Sequence, residues 1–393
     1  MKSTRRFTQH LVLFSMTLSL CACAANTVAP EDTKGVNVSE QQSSLVASKP
    51  PPPVSLNNLQ GTSEINPQGT PDINPQEALQ DNVQEGAPKK NTQGNLQSKL
   101  NVNPLTITRT RMVGKLQNKQ LSEISGLAAA NRYPGLLYAI NDSGNQPALY
   151  AISETGQLVE QWHINARNRD WEDMTRIRLA NKTYLVVGDT GDNLRVHKFA
   201  SLHFFTEPAV PAETNSLDPA FSIRFRYEDG PRNVEAFAAI DNSIYLLSKE
   251  PVGVSGPAPS GIYQLELPES IHQSSIEEEP LIATRIGSMP PRTGGLEARL
   301  AAALAGVDLS HPTALAFDAT RNSAYVLTYR EVLHVQRTAG QTWADAFAQP
   351  ARRLLWHKLA QAEALTLAEG RAIWFTSEKA GAPIWAIPLE APL

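Results

Sequence analysis

The chain has 393 residues, of which 41% are hydrophobic and 19% are charged, and its formal net charge is −4. This length allows one large domain with additional segments, and the lack of a basic excess argues against nucleic acid as a partner. The two cysteines, Cys21 and Cys23, lie close together near the first residue. The rest of the chain therefore has no cysteine for a disulfide, a zinc knuckle or a thiol nucleophile.

Residues 1–22 have the pattern of a lipoprotein signal peptide. Basic residues precede an apolar stretch, residues 11–20, that is too short to span a bilayer comfortably. The segment Leu-Cys-Ala-Cys ending at Cys23 resembles the bacterial lipoprotein box, and it predicts lipidation, including palmitate, at Cys23 rather than at Cys21. Acyl chains would then anchor the protein to a membrane of the bacterial cell envelope. Ala24, where an Asp would favour the inner membrane, favours the outer membrane.

Residues 23–104, after the lipidated cysteine, are predicted to be a disordered tether. They are rich in Gln, Asn, Ser and Pro, contain four consecutive prolines at 50–53, and repeat Ile-Asn-Pro-Gln from positions 65 and 73. Such a composition has too few apolar side chains to bury a core. A flexible coil of about 80 residues has a root-mean-square reach of roughly 50 Å. The alternative is that the repeats bind cell-wall polymer.

Residues 105–393 contain five units of similar pattern, which open at Glu123, Trp171, Glu235, Thr313 and Glu363. In each unit a polar start leads into an apolar run, and a second apolar run after a turn ends in charged or amide side chains. This recurrence indicates an all-β, five-bladed β-propeller, with six blades as the alternative. The fifth unit ends after its third strand, so we expect residues 106–116 to supply the fourth.

The polar ends of these runs should share one mouth of the central channel. The first two strands of a unit are antiparallel, so the start of one lies beside the end of the other. This arrangement predicts a binding site for an unknown ligand or an envelope protein partner. The expected binding residues are Glu123, Asn141, Glu250 and Glu378.

The densest group of oxygen-bearing side chains is predicted to hold a metal. Calcium prefers carboxylate, amide and carbonyl oxygens, and glycine allows the sharp turns that aim them at one point. The expected ligands are Asp142, Glu172, Asp173, Asp189, Asp192 and Asn193. The alternative interpretation is that Asp, Asn and Gly are present because tight turns prefer them.

Two classes of function fit this mouth. One is a non-catalytic protein of the envelope that binds a ligand or a partner. The other is a metal-dependent hydrolase of phosphoesters or esters, with Glu235 or Glu363 as general base and Lys249, Arg330 or Lys379 stabilising the developing anion. No nucleophile elbow, HisGluXaaXaaHis motif or phosphate-binding glycine loop is found in the sequence.

Several motifs together resemble a known group of proteins. They include Asn-Asp-Ser-Gly from Asn141, Asp-Trp-Glu-Asp before Met174, and Gly-Asp-Thr-Gly-Asp-Asn ending at Asn193. The set is similar to a family of bacterial secreted β-propellers, often lipoproteins, and more distantly to SdiA-regulated and phytase-like or esterase-like propellers. The resemblance implies the propeller fold and a calcium ion, and it supplies no reaction. Thr313 stands where the pattern has an acid, so a symmetric ring of carboxylates is not expected.

Overall fold

The structure is a computed structural model that describes residues 110–252, 257–271, 279–292, 308–368 and 372–389. The predicted signal peptide, Cys23 and the tether lie outside these residues. Within the described ranges, no helix combines the length and the apolar character that crossing a membrane requires. The described fold is almost entirely β-sheet, as predicted.

Five strands, one from each repeated unit, surround a central channel. They are β2 (Ile124–Ala129), β6 (Trp171–Leu179), β11 (Val234–Ile240), β15 (Pro312–Phe317) and β19 (Ala362–Ala368). Each packs against the next, and β19 packs against β2, so the contacts form a closed circuit. This propeller-like arrangement explains why these strands are apolar along most of their length, since sheet neighbours cover both of their faces.

Successive antiparallel strands extend each unit outwards from the channel. Unit one adds β3 (Leu136–Asn141), β4 (Ala148–Ser153) and β5 (Leu158–Ile164); unit two adds β7 (Lys182–Asp189), β8 (Ala200–Thr206) and β10 (Phe221–Tyr227). Unit three adds β12 (Ser243–Ser248), β13 (Ser260–Glu266) and β14 (Leu281–Met289). Unit four adds β16 (Ser323–Thr328), β17 (Glu331–Gln336) and β18 (Arg352–Trp356); unit five adds β20 (Ala372–Ser377) and β21 (Pro383–Pro388). One short helix, α1 (Trp343–Ala348), connects β17 to β18.

The fifth unit is completed by the start of the globular region. Strand β1 (Arg111–Lys115) pairs antiparallel with β21, from Arg111 opposite Ala386 to Lys115 opposite Pro383. The prediction that residues 106–116 supply the fourth strand is confirmed for the part that the structure describes. An edge that would otherwise be open is therefore paired.

The outer strands of units two and three are joined to each other. Strand β10 pairs in parallel with β14, through Phe225 opposite Leu281 and Tyr227 opposite Ala283. The two units thereby form one eight-stranded sheet. A two-residue strand, β9 (Ser216–Leu217), likewise pairs in parallel with β5 in unit one.

Apolar side chains fill the space between neighbouring units. Trp171 is fully buried between units one and two, where it packs in a cluster with Tyr138, Trp162 and Phe205. Burying an aromatic side chain of this size removes about 150–250 Å² from water, so these wedges contribute strongly to stability. The packed walls hold the channel-facing strands, and the residues at their ends, in fixed positions.

Candidate metal centre at the mouth of the channel

The five channel-lining strands share one irregularity at the same position. Their pairing with the second strand skips one residue, which marks a β-bulge. A bulge leaves one residue out of the ladder and re-aims its side chain. The skipped residues, which we call the bulge collar, are Ser125, Glu172, Glu235, Thr313 and Glu363.

Three carboxylates meet beside this collar, between units one and two. Asp142 follows β3, Asp170 precedes β6, and Glu172 is the collar residue of β6. Oxygen atoms of the three side chains all lie within 4.8 Å of one another. We call this group the acidic triad, and its spacing is suited to holding a metal ion.

Glu172 is the most deeply buried carboxylate of the triad. Only 7% of its surface is exposed, and no hydrogen-bond donor to its side chain is found among the described residues. Burial raises the pKa of Glu172 well above its usual value, and the nearby Asp142 carboxylate raises it further. Burial also raises the pKa of Asp142 to about 7, although the backbone N–H of Ser143 opposes this. Three carboxyl groups so placed favour either bound protons or a cation.

Gly191 makes room for the triad. It follows β7, and its backbone N–H donates to the carbonyl oxygen of Asp170 at 3.1 Å. A Cβ atom at this position would overlap the carboxylate oxygens of both Glu172 and Asp170. The glycine of the Gly-Asp-Thr-Gly motif is therefore required by the close approach of backbone to carboxylates.

A different chemical group neutralises the collar residue of unit three. The Lys249 ammonium forms a short ion pair with the Glu235 carboxylate and donates to the Tyr329 hydroxyl at 3.1 Å. Burial alone would lower the pKa of Lys249, but the Glu235 carboxylate raises it above its usual value. Lys249 therefore stays charged and acts as the internal counter-ion of Glu235.

The collar residue of unit five is paired with another acid. Burial raises the pKa of Glu363 well above its usual value, and Glu378, to which it is hydrogen-bonded, raises it further. The pKa of Glu378 is also raised, first by burial. Such a pair favours sharing a proton, since two adjacent buried carboxylates repel each other.

Asp173 lies deeper in the channel and has a structural task. It is fully buried, and one of its oxygens accepts backbone N–H groups from Phe237 at 3.0 Å and from Leu315 at 3.4 Å. The other oxygen accepts the N–H of Met174 at 2.7 Å. The side chain predicted as a metal ligand thus satisfies unpaired donors on the inner edges of three units.

The remaining predicted ligands already have protein partners. Asp189 pairs with Arg169 at 3.1 Å. Asp192 accepts the backbone N–H groups of Val196 and His197, at 3.0 and 2.7 Å. Asn193 accepts from Asn233 at 3.1 Å. These residues support the loops around the mouth, which is the role that tight turns commonly give to Asp and Asn.

The predicted binding and cationic residues are spread around the mouth. Glu123 is exposed and accepts a hydrogen bond from Asn145, whereas Asn141 is buried next to Asp142 in the chain. Glu250 forms an ion pair with Arg195, and Arg330 donates to the Leu359 carbonyl. Lys379 is exposed and follows Glu378 directly. Sequence reasoning assigned the unit-one acid to Glu123, whereas the collar position there is Ser125. It also missed Asp170, although this residue directly precedes the Trp-Glu-Asp segment.

Comparisons with known proteins show similarity in structure only. No family model matches the chain, and no curated protein sequence matches it. A calcium structure of a Trichoderma reesei Carbohydrate-Active Enzymes Family AA12 protein is 10% identical, has a TM-score of 0.42, and covers 75% of this chain and 100% of its own. The PQQ-bound aldose sugar dehydrogenase of Streptomyces coelicolor is 11% identical, has a TM-score of 0.39, and covers 72% and 98%. Similarity this weak carries no conclusion about chemistry.

Proposed function

We propose that the acidic triad binds calcium and that the chain is an envelope-anchored β-propeller lipoprotein, which uses this mouth to hold a ligand or a protein partner. One observation carries the proposal. Glu172 is buried in a cluster of three carboxylates and has no hydrogen-bond donor among the described residues. Burying an uncompensated carboxylate costs far more free energy than burying one that binds a metal.

The contrast between the two sides of the mouth supports a cation at the triad. On one side, Lys249 supplies a positive charge to Glu235. On the other, Ser143 donates to Asp142 and Asp170, but the cations that act on the triad are Arg169 and Lys249, which are paired with Asp189 and Glu235. A hard divalent ion with several oxygen ligands would supply the missing charge, and calcium tolerates the irregular geometry that loops provide.

Calcium-dependent melting of the full chain tests this proposal. A ligand that binds only the folded state adds RT ln(1 + [L]/Kd), about 2.7 kcal/mol at a hundredfold excess over Kd. We expect Glu172→Gln to abolish this gain while raising the melting temperature of the ion-free protein, because a buried charge is removed. Asp318→Asn is the matched control, because Asp318 accepts backbone N–H groups only within its own turn: it should lower the melting temperature equally with and without calcium. A wild-type melting temperature that calcium does not change would contradict the proposal.

Hydrolysis is the second candidate function, and the geometry of the collar favours it. Glu235, Lys249 and Tyr329 form a hydrogen-bonded group, and Glu363 with Glu378 forms a proton-sharing pair at the same mouth. Glu235 or Glu363 would act as general base, and Lys249 would stabilise a developing anion. Lys249 contacts the proposed base Glu235 directly, whereas the Arg330 guanidinium donates to the Leu359 carbonyl, so Lys249 is the cation beside the proposed base.

Turnover of p-nitrophenyl phosphate and p-nitrophenyl acetate by the full chain, with and without calcium, tests this candidate. If the chain is a hydrolase, Glu235→Gln and Glu363→Gln should each lower kcat by roughly 10²-fold or more, the usual contribution of a general base. Asp345→Asn serves as the control, because Asp345 belongs to the capping box of α1, a helix that packs against the outer strands β14 and β17. Turnover equal to that of buffer would leave the binding function.

We also propose that the five units are the blades of a five-bladed propeller. The contact circuit from β2 through β6, β11, β15 and β19 back to β2 supports this number over six. Each unit has its own channel-lining strand with its own bulge. Among the described residues, the circuit leaves no gap for a sixth such strand.

The lipid anchor is proposed from the sequence alone. Metabolic labelling with palmitate in a bacterial host should label the wild-type chain and Cys21→Ser, whereas Cys23→Ser should carry no label. Label that is retained in Cys23→Ser and lost in Cys21→Ser would place the anchor on Cys21. Fractionation of the labelled membranes would then separate the outer from the inner membrane.

A further inference from the structure

One hydroxyl group of the collar has no hydrogen-bond partner in the part of the chain that the structure describes. This group is the Oγ of Ser125, a residue that is only 1% exposed. A buried hydroxyl group that is left unpaired destabilises the folded state. The other hydroxyl residue of the collar, Thr313, is equally buried but donates to the carbonyl oxygen of Ala362 at 2.7 Å.

Ser125 and Glu172 occupy equivalent positions on neighbouring strands. Each is the residue that the bulge leaves out of the ladder, Ser125 in β2 and Glu172 in β6. The two strands approach closely here, because a Cβ atom at Gly126 would lie 2.7 Å from the backbone nitrogen of Met174. The carbonyl oxygen of Glu123, two residues before Ser125, accepts the backbone N–H of Asp142 at 2.9 Å. Ser125 therefore lies close to the strand ends that carry Asp142 and Glu172.

Asn141, next to Asp142 in the chain, has a second oxygen atom for which the described residues offer no donor. Asn141 is 3% exposed and lies opposite Ile124 in the ladder between β2 and β3. Its amide nitrogen donates to the Gln120 carbonyl at 2.6 Å, but its Oδ1 atom is buried and has no hydrogen-bond partner among the described residues. Asn141 directly precedes Asp142, a member of the triad. Calcium takes six to eight oxygen ligands, more than three monodentate carboxylates supply.

We propose that the Ser125 hydroxyl belongs to the coordination shell of the cation at the acidic triad, either as a direct ligand or through one bound water. This inference rests on the proposed calcium site. It assigns a task to a serine that the pattern of acidic residues does not mark, and it explains why the collar of unit one has a hydroxyl group where three other units have a carboxylate.

Terbium, which substitutes for calcium, tests the inference on the full chain. We expect Ser125→Ala to weaken terbium and calcium binding by roughly 10-fold or more, as loss of a supporting ligand contact does at metal sites. Luminescence lifetimes in H₂O and D₂O count the water molecules on the ion. A count that rises by one indicates direct ligation, and an unchanged count with weakened binding indicates a bridging water.

Thr313→Val is the matched control, because its hydroxyl group is already bonded within the protein. This variant should lower the melting temperature of the ion-free protein and leave terbium affinity unchanged. Ser125→Ala should weaken terbium binding without lowering the melting temperature of the ion-free protein, since the hydroxyl group that it removes has no partner among the described residues. Wild-type affinity in Ser125→Ala would overturn the inference while leaving the calcium site intact. Absence of terbium binding by the wild-type chain would instead overturn the calcium site itself.

Discussion

Gly191 is the residue whose size most directly controls the acidic triad. Gly191→Ala would force the carboxylates of Glu172 and Asp170 to move, because the added methyl group overlaps both. We expect calcium affinity, measured by titration calorimetry, to fall by roughly 10- to 100-fold. Gly287→Ala is the control, since the nearest atom to its added methyl group is at an ordinary 3.5 Å. Equal affinity in the two variants would show that the triad does not bind the ion.

The carboxyl groups of the triad predict an unusual pH dependence for the ion-free protein. Burial raises the pKa of Asp142 from 3.8 to about 7, so the folded state binds more protons than the unfolded state between these values. Stability should therefore be greatest near pH 4 on account of this group and decline as the pH rises towards 7. Melting curves without calcium should show this fall, by several degrees, given about 2–4 °C for each kcal/mol.

Calcium should reverse the effect. The ion binds ionised carboxylates, so its stabilisation should increase over the same range of pH in which the ion-free protein loses stability. Glu172→Gln should flatten both curves, because it removes one of the coupled carboxyl groups. Stability of the ion-free wild type that rises between pH 4 and 7 would contradict the assignment of raised pKa values.

The channel-lining strands depend on Asp173 for hydrogen bonds that a sheet neighbour would normally supply. Asp173→Ala would leave the backbone N–H groups of Met174, Phe237 and Leu315 without this acceptor. Each buried donor left unpaired costs about 1–3 kcal/mol, so we expect a loss of roughly 3 kcal/mol or more in the free energy of unfolding.

Asp318→Ala provides the comparison for the hydrogen bonds of Asp173. Asp318 also accepts two backbone N–H groups, from Asn322 and Ser323, but in a loop that is open to water. Its loss should cost about 1 kcal/mol, since water can replace the carboxylate. Urea unfolding measures the free energy of unfolding of both variants. Equal losses in the two would mean that the hydrogen bonds of Asp173 stabilise the protein no more than those of an ordinary turn.

Strand β1 closes the ring, so its removal should affect the whole sheet of unit five. Deleting residues 24–100 leaves β1 in place and should barely change stability. Deleting residues 24–118 exposes the edge of β21 and should cause aggregation, which light scattering detects. Identical behaviour of the two truncations would show that the pairing of β1 with β21 does not stabilise the ring.

At the scale of the whole molecule, the sequence predicted the repeated units and the common mouth because strand pairing is regular. Asp170 was missed because its position depends on how the loop before β6 folds back, which no periodicity records. In unit one the sequence pattern pointed to Glu123, whereas the bulge lies two residues later, at Ser125. Serine is uncharged, so a search for acidic residues does not find this position. Asp192, predicted as a ligand, accepts backbone N–H groups of its own loop, and sequence alone does not separate the two roles because loop supports and metal ligands use the same residue types.

The parallel pairing of β10 with β14 has a consequence for how the ring comes apart. Units two and three share one continuous sheet, so local opening should release them together rather than one at a time. Glu172 belongs to this fused pair, whereas Asp142 belongs to unit one. A cation held between them would act as a latch across that boundary, resisting separation under mechanical load and slowing amide hydrogen exchange on both sides of it. The ion would then control the opening of the ring as well as the chemistry at its mouth.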